Sequence, residues 1–422
     1  MKPTVLIATT ARWLPTARLG VALANAGFTV HAVCPTNHSI AKTNLVRRIY
    51  RYRALNGPAS FSKAISVSKP DLIIPGDDLA AQHLRVLYQQ ELRRGSAGAL
   101  NCSLIGRSFS AAEIFPILFE RAKFIEAASK AGIRVPPTKA LKDAQDLKQW
   151  VNQNGFPVVL KADGSSGGVG VRVEGSTKEV ESAFRSLQKP PLLARAAKRT
   201  LIDRDPTLLL PSLLRRRSVV NAQTYIAGRE ATSTIACWKG EVLASLHFEV
   251  IHKTSTSGHA TVLRWIENPE MSSAVKKLAQ SLELSGVHGF DFMLENRTGD
   301  AYLIEINPRS TQVGHLTLGL GRDIPAALFA AVTGQEIRPA AKVTEKDTVA
   351  LFPQEWIRDS GSAFLQTAFH DVPWDQPELI HAFVRERRKQ NDWYSQQNKL
   401  QSFSLASLNA NEKSISGTHG AT

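Results

Sequence analysis

"HGFDFMLENRTGDAYLIEINPRS", residues 288–310, holds two strand-like runs about a short polar turn. GFDFML and AYLIEIN are the runs, and NRTGD is a five-residue turn with a glycine. Centring the turn on Thr298 sets Asp291 directly opposite Glu305, with Cβ atoms about 5 Å apart. By the two-residue period of a strand, Glu305, Asn307 and Arg309 share one face. Tyr302, Ile304 and Ile306 fall on the other, read here as the core face. Two carboxylates about 5 Å apart repel by roughly 3 kcal/mol at an effective dielectric of about 20. Something must offset that. Either nearby arginines neutralise the pair, or a divalent cation does. Asp, Glu and the Asn carbonyl are hard oxygen ligands of the kind Mg²⁺ takes, together with water and substrate phosphates.

A second segment asks for an anion. "VVLKADGSSGGVGVRVE", residues 158–174, places Lys161 in an apolar run and follows it with Gly164, Gly167, Gly168 and Gly170. It lacks the Gly-Lys-Ser/Thr ending of a P-loop. A dinucleotide loop also leads into a helix, whereas Val171-Arg172-Val173-Glu174 alternates as a strand does. The unit is strand, glycine flap, strand. Such a flap can bring backbone N–H groups against a ligand with no Cβ in the way. A hairpin with a snorkelling lysine fits the same residues.

The 422-residue chain is long enough for two or three domains. It contains no apolar run long enough for a membrane span. Its opening MKPTVLIATTARWLP suits a buried strand better than a signal peptide. Cys34, Cys102 and Cys237 lie far apart, which suits a reducing cytoplasm and no metal spacing. The net charge of +15 fits nucleic acid, an anionic surface or polyanionic small molecules. The densest basic run holds Arg195, Lys198, Arg199, Arg204, Arg215, Arg216 and Arg217, with no aromatics between them. That pattern reads as a solvated surface or the lip of an anionic site, not as a nucleic-acid partner face.

Along the chain, TVLIAT, FTVHAV, KPDLIIPGDD and CSLIG read as buried strands, with PTARLGVALANAG a helix between the first two. That rhythm predicts a doubly wound parallel sheet over 1–112. Its first turn lacks a dinucleotide fingerprint. Ser110 and Glu113 are placed as a capping box, with Pro116 restarting a helix that Gly132 ends. VVNAQTYIAG, EATSTIACW and EVLASLHFEVI read as strands. NPEMSSAVKKLAQSLELSG reads as an amphipathic helix with a C-terminal glycine. Residues 341–395 match no motif; a cap on the substrate site or a homodimer contact are two readings. The last stretch, 396–422, reads as a disordered tail.

Taken in order, ERAKFIEAASKAGIRVPPT, VVLKADGSSGGVGV, AQTYIAGRE and GFDFMLENRTGDAYLIEINPR resemble the ATP-grasp superfamily, in its carboxylate–amine ligase-like form. The resemblance implies an α/β chain: a Rossmann-like, pre-ATP-grasp domain, then an α+β ATP-grasp domain of two lobes over 113–220 and 221–340. It implies ATP and Mg²⁺ (or Mn²⁺) as cofactors. Lys123 and Lys161 match lysines that reach the nucleotide phosphates, and Gly164, Gly167, Gly168 and Gly170 match the flap over them. Ala122 stands where the family often has Asp. Gln223 falls where the family often has Glu near the adenine amino group; Thr224, Tyr225 and Ile226 match the hinge that reads adenine, and Glu230 the ribose carboxylate. Asp291, Glu305 and Asn307 match the metal ligands, and Arg309 the arginine that steadies the transferred phosphoryl group. The implied reaction joins a small-molecule carboxylate to an amine or thiol through an acyl phosphate. A phosphotransferase that stops after phosphorylation is the near alternative, and a basic nucleic-acid-binding protein the remote one. Asp77, Asp78, Lys253, His259 and Arg264 are the candidates beside the substrate.

Overall fold

The computed structural model describes residues 2–164, 170–189, 218–255 and 258–385. The first elements are β1 (Thr4–Ala8), α1 (Leu14–Asn25), β2 (Thr29–Cys34), β3 (Val46–Arg51), α2 (Gly57–Ser68), β4 (Leu72–Pro75), α3 (Asp78–Arg93) and α4 (Ala99–Ser108). The four strands form a parallel sheet in the order β3-β2-β1-β4. Apolar runs at Val5–Ala8 and Leu72–Ile74 are buried almost completely, as parallel strands must be. Two expectations change here. CSLIG is not a strand: it lies in α4, where Leu104 and Ile105 are the buried positions. A short apolar run has the same signature in a buried helix turn as in a buried strand. The remaining strand is β3, VRRIYR, whose exposed arginines hid it; it is the sheet edge and buries only Val46 fully.

Asp77 ties the loop after β4 to the loop after β1. It caps α3 by accepting from the Ala80 N–H at 2.9 Å. It also accepts from the Thr9 hydroxyl (2.7 Å), the Thr10 N–H (2.6 Å) and hydroxyl (2.7 Å), and the Ala11 N–H (3.1 Å). Asp77 is thereby fully occupied in holding loops, which removes it from the substrate candidates.

Helices α5 (Phe115–Phe119) and α6 (Arg121–Lys130) follow. The expected capping box does not form. Ser110 is buried and its hydroxyl donates to the Leu282 carbonyl at 2.6 Å, because that carbonyl lies in an apolar interior and needs a partner. Pro116 does open α5, and Gly132 follows α6 with φ +69°.

A small lobe comes next: β5 (Thr138–Leu141), α7 (Ala144–Asn154), β6 (Val158–Ala162), β7 (Val171–Glu174), α8 (Thr177–Gln188) and β8 (Val220–Thr224). Its antiparallel sheet runs β5-β8-β6-β7 over a separate core of Leu147, Trp150, Val158, Leu160, Phe184 and Val220. Strands β6 and β7 flank the glycine segment, with Lys161 opposite Val171. Its tip, with Gly167 and Gly168, lies outside the described residues, as does the basic run at 195–217.

The large lobe contains β9 (Gly228–Trp238), β10 (Glu241–Lys253), β11 (Ala260–Trp265), α9 (Pro269–Ser281), β12 (Gly286–Glu295), β13 (Ala301–Asn307), α10 (Ile324–Thr333), β14 (Thr348–Leu351), α11 (Gln354–Arg358), α12 (Phe364–Thr367) and β15 (Phe369–Asp371). Its sheet runs β13-β12-β9-β10-β11-β14-β15. Helix α9 stops at Ser281, and the glycine expected to cap it, Gly286, instead begins β12 with φ +87°. Residues beyond 341 supply two strands to this sheet. Asp371 of β15 takes a bidentate pair from Arg18 of α1 (2.5 and 2.9 Å) and a hydrogen bond with His315 Nε2 at 2.9 Å, with Asp371 buried and the other two half-buried.

Met1–Val372 forms one compact unit and Pro373–Thr422 a second. Residues 377–385 of the second unit are helical, and the tail expected over 396–422 lies outside the described residues.

Candidate active site

The carboxylates meet as the sequence requires. Asp291 of β12 pairs with Glu305 of β13 in the antiparallel register. The route to that register differs from a plain hairpin. Near the turn, Leu294 pairs with Ala301 and Phe292 with Leu303; a bulge then leaves Ile304 unpaired before Asp291 meets Glu305. One extra residue reverses the alternation. So Ala301 and Leu303 are the buried core positions before the bulge, and Ile306 packs on the core after it. Tyr302 and Ile304 are half-buried and are not the core face expected. Tyr302 lies under the Arg134 guanidinium, 5.7 Å from the ring centroid.

Packing holds Asp291 where it is. Phe290 and Phe292, on either side of it, are buried to within 1%. Each contributes about 2–3 kcal/mol on burial, and a one-residue slip forfeits both. That exceeds the roughly 3 kcal/mol of carboxylate repulsion. The next strand adds a third member, since Thr232 of β9 pairs with Asp291 and donates to its Oδ1 at 3.1 Å. Asn307 Nδ2 donates to Oδ2 at 3.0 Å.

The two acids sit in different fields. Burial, and then Glu305 opposite, push Asp291 up to about 7, with Asn307, Thr232 and Arg309 pulling the other way. Burial acts to raise Glu305 too, but Arg121 and Lys161 outweigh it and hold Glu305 below the usual carboxylate range. Arg121 Nη2 donates to Glu305 Oε2 at 2.6 Å.

Lys161 enters from the small lobe. It is 7% exposed, one residue before the end of β6. Burial lowers its ammonium to about 8; Glu305 and Asp291 oppose this and Arg121 adds to it. Asn221, opposite Lys161 on β8, donates to Asp163 Oδ1 at 2.8 Å and so fixes the base of the flap. The Ala162 N–H donates to the Gly170 carbonyl at 2.9 Å and closes that base, while Gly164 adopts φ +73°.

Arg309 reaches toward the N-terminal sheet. Its Nε donates to Asp78 Oδ1 at 2.6 Å, its Nη2 to Asn307 Oδ1 at 3.3 Å, and its guanidinium lies 5.3 Å from the Trp13 ring centroid. Ser310 N–H donates to the Pro75 carbonyl at 3.1 Å, which fastens this loop to the end of β4. The His259 ring lies 6.4 Å from that of Trp13.

The other expected residues are more scattered. Gln223 is buried on β8 and turns its Nε2 to Thr138 Oγ1 at 2.9 Å. Tyr225 is exposed and Ile226 half-buried in the link between β8 of the small sheet and β9 of the large one. Gly228 lets that link approach β12, since a Cβ there would stand 2.2 Å from the Leu294 carbonyl oxygen. Glu230 pairs with Lys253 Nζ at 2.5 Å. Arg264 is exposed on β11. Lys123 is half-exposed and pairs with Glu120 at 2.8 Å; Arg121, two residues earlier, is the α6 residue on the carboxylates. Sequence reading missed Arg121, Asn221, Thr232 and Trp13. Asn221 was findable: it alternates with Gln223 as a second polar residue on one face of a run read as a strand. Arg121 carried no signal separating it from its basic neighbour.

Residues 120–319 match the family described as the carbamoyl-phosphate synthase L chain, ATP binding domain. That match spans a little under half of the chain. Biotin carboxylase of Haemophilus influenzae is 25% identical over 272 residues, covering 62% of this chain and 53% of that protein. The chain spans about half or less of the length of the curated relatives it matches. Among solved structures, N5-carboxyaminoimidazole synthase of Aspergillus clavatus, in complex with ADP and 5-aminoimidazole ribonucleotide, superposes with a TM-score of 0.58 at 14% identity, over 80% of this chain and 79% of that one. The biotin carboxylase domain of Hydrogenobacter thermophilus 2-oxoglutarate carboxylase, with MgADP and bicarbonate, gives 0.55 at 17% identity, over 81% and 72%. These likenesses establish the fold: a Rossmann-like parallel sheet joined to an ATP-grasp domain. No helix among the described residues is long and apolar enough to cross a membrane.

Proposed function

We propose that this chain is an ATP-dependent ligase that activates a carboxylate as an acyl phosphate and joins it to an amine or thiol, releasing ADP and phosphate. The observation that carries the reading is the Asp291–Glu305 pair, opposed across one ladder with Lys161 and Arg121 beside it. The donor set fits Mg²⁺. Two hard carboxylates lie side by side, and without a cation Asp291 is held half-protonated near neutral pH. Asp291, Glu305 and Asn307 would hold the ion, which neutralises phosphate charge when bound. Among the described residues no cage of three or more acidic, His or Cys ligands forms. Phosphate oxygens and water would complete its coordination.

The chain's own residues do the remaining work. Lys161 and Arg121 bind phosphate oxygens and offset charge as the γ-phosphoryl group leaves. The flap over 164–170 excludes water, which matters because an acyl phosphate hydrolyses. The hinge at Thr224, Tyr225 and Ile226 holds adenine by its backbone, with Glu230 on the ribose. Arg309, set between Trp13 and Asp78, steadies the carboxylate end of the acyl phosphate. The domain limits follow the same reading, 1–112 and 113–340, with 341–395 as an extension whose strands complete the large sheet. A reducing cytoplasm suits the three free cysteines.

The test is ADP release from Mg-ATP with pooled carboxylic acids and amines, bicarbonate first because a fold neighbour was solved with it. One acid–amine pair driving ADP release, lost in Lys161→Ala and Glu305→Ala, supports the ligase. A stable phosphorylated product formed without an amine moves the reading to a phosphotransferase. No calorimetric Mg-ATP binding by the wild type overturns the site itself.

A further inference from the structure

Residues 1–70 contain ten Lys and Arg and no Asp or Glu, so two-thirds of the chain's net charge of +15 arises in its first sixth. Among the described residues, only Arg18 of these ten has a carboxylate partner, Asp371. Several of the others gather at one place. Edge strand β3, the turn after it and α2 enclose a cavity of about 400 Å³ lined by Arg48, Tyr50, Arg51, Arg53, Ser60 and Lys63. All four cations are exposed at its rim, and its lining includes no acid. Arg48 is positioned 5.4 Å over the Tyr50 ring, and the buried Tyr50 hydroxyl has no hydrogen-bond partner. The neutral ring of His31, 6.0 Å from Tyr50, adds no further charge below.

Four unpaired cations around one concavity repel each other, and a fold gains nothing from gathering them unless an anion offsets the charge. We propose that this cavity binds a diphosphate group, a second anion site apart from the ATP-grasp centre. Arginine forks match phosphate oxygens in pairs, Lys63 adds a point charge, and the Tyr50 hydroxyl supplies a neutral donor. The volume is that of a small-molecule pocket. The cations ring a hollow and do not form a stripe with several stacking aromatics, so the fit is to a small polyanion and not to nucleic acid. The site is also separate. Strand β3 lies at the opposite edge from β4, whose end meets the Arg309–Ser310 loop. Three inter-strand spacings, about 14 Å, separate those two strands.

The experiment is calorimetric titration of the full chain with inorganic pyrophosphate in metal-free buffer, comparing wild type, the Arg51→Gln/Lys63→Gln double variant and Lys161→Ala. All three are checked for an unchanged melting curve. The expected result is that the double variant binds at least tenfold more weakly while Lys161→Ala retains a site of wild-type affinity, and that Tyr50→Phe loses about threefold. No wild-type binding, or loss confined to Lys161→Ala, overturns the proposal. So does tighter binding of a single-stranded oligonucleotide that falls steeply with salt. A final titration of Lys161→Ala with ADP separates the two sources of the group. Binding that the Arg51→Gln/Lys63→Gln changes remove assigns the diphosphate of a nucleotide. Binding of pyrophosphate alone assigns a free diphosphate.

Discussion

Hairpins β12–β13 and β6–β7 face one site with opposite charge, and they are secured differently. Asp291 and Glu305 sit in mid-strand at one edge of a seven-stranded sheet, with Phe290 and Phe292 locking their register from the core side. Lys161 sits in a four-stranded sheet with its own small core, one residue before β6 ends and the flap begins. The anionic wall is set by the larger core. The cationic wall belongs to a lobe that joins the other through the short 225–227 link. Such a division lets the phosphate-binding wall close on nucleotide without disturbing the carboxylates. Each wall buries a charge that the other compensates.

The comparison predicts that the anionic wall is the more sensitive. Glu305→Ala should lower ADP formation on the order of a thousandfold, because it removes a ligand and leaves Arg121 and Lys161 unmatched. Glu305→Gln keeps the shape and should cost nearly as much; substantial activity in that variant would show that charge is not what the position supplies. Lys161→Ala should cost about a hundredfold in the same assay. Lys161→Arg should not restore it, since a planar guanidinium does not fit a site buried for a compact ammonium.

The walls also differ in how stability depends on pH. Asp291 folds with its pKa raised to about 7, so the folded protein binds the extra proton between about 4 and 7. Stability from this group is full below the unfolded value and falls as pH rises to about 7. The slope is at most about 1.4 kcal/mol per pH unit. Lys161 folds with its pKa lowered to about 8, so its contribution recovers as pH rises from about 8 toward the unfolded value. Glu305, held low, contributes the opposite slope to Asp291, below the ordinary carboxylate range. Buried His38, His247 and His288, whose pKa values are lowered, slope the other way in the same window, so urea melts across pH 4–7 should isolate the Asp291 slope as the difference between wild type and Asp291→Asn. Mg-ATP should flatten it by favouring the charged carboxylate. An unchanged slope in Asp291→Asn rules out Asp291 as its source.

What could be read from the sequence divides along the same line. The Asp291–Glu305 pair was legible because strand periodicity and one turn determine which residues face each other. The bulge at Ile304 was not, since nothing in AYLIEIN marks which residue goes unpaired; the pair was right while the core face near the turn was wrong. The strands on either side of the glycine segment were legible from its apolar run and from Val171 and Val173. CSLIG was misread because five apolar or small residues carry no period. Strand β3 was missed because an edge strand with exposed arginines keeps too few buried positions to alternate. Helix α6 was legible as a helix, but which of its basic residues faces the site depends on its docking against β13, and that is a tertiary fact.

That last ambiguity gives the smallest and sharpest prediction. ERAKF offers two cations, Arg121 and Lys123, two residues apart and therefore about 200° around a helix. They cannot both face the carboxylates. The structure turns Arg121 to Glu305 at 2.6 Å and leaves Lys123 on Glu120, with about half its side chain exposed. An exposed pair of the latter kind is worth at most about 1 kcal/mol in stability. Arg121→Ala should therefore lower ADP formation about tenfold. It should also raise the pKa of Glu305, because the strongest cation holding that carboxylate down is gone. The acid limb of the pH–rate profile should move to higher pH in Arg121→Ala. Lys123→Ala should leave both rate and profile within about twofold of wild type. If Lys123→Ala proves the more damaging, the helix docks with its other face inward when nucleotide binds, and the assignment of Arg121 to the site is reversed.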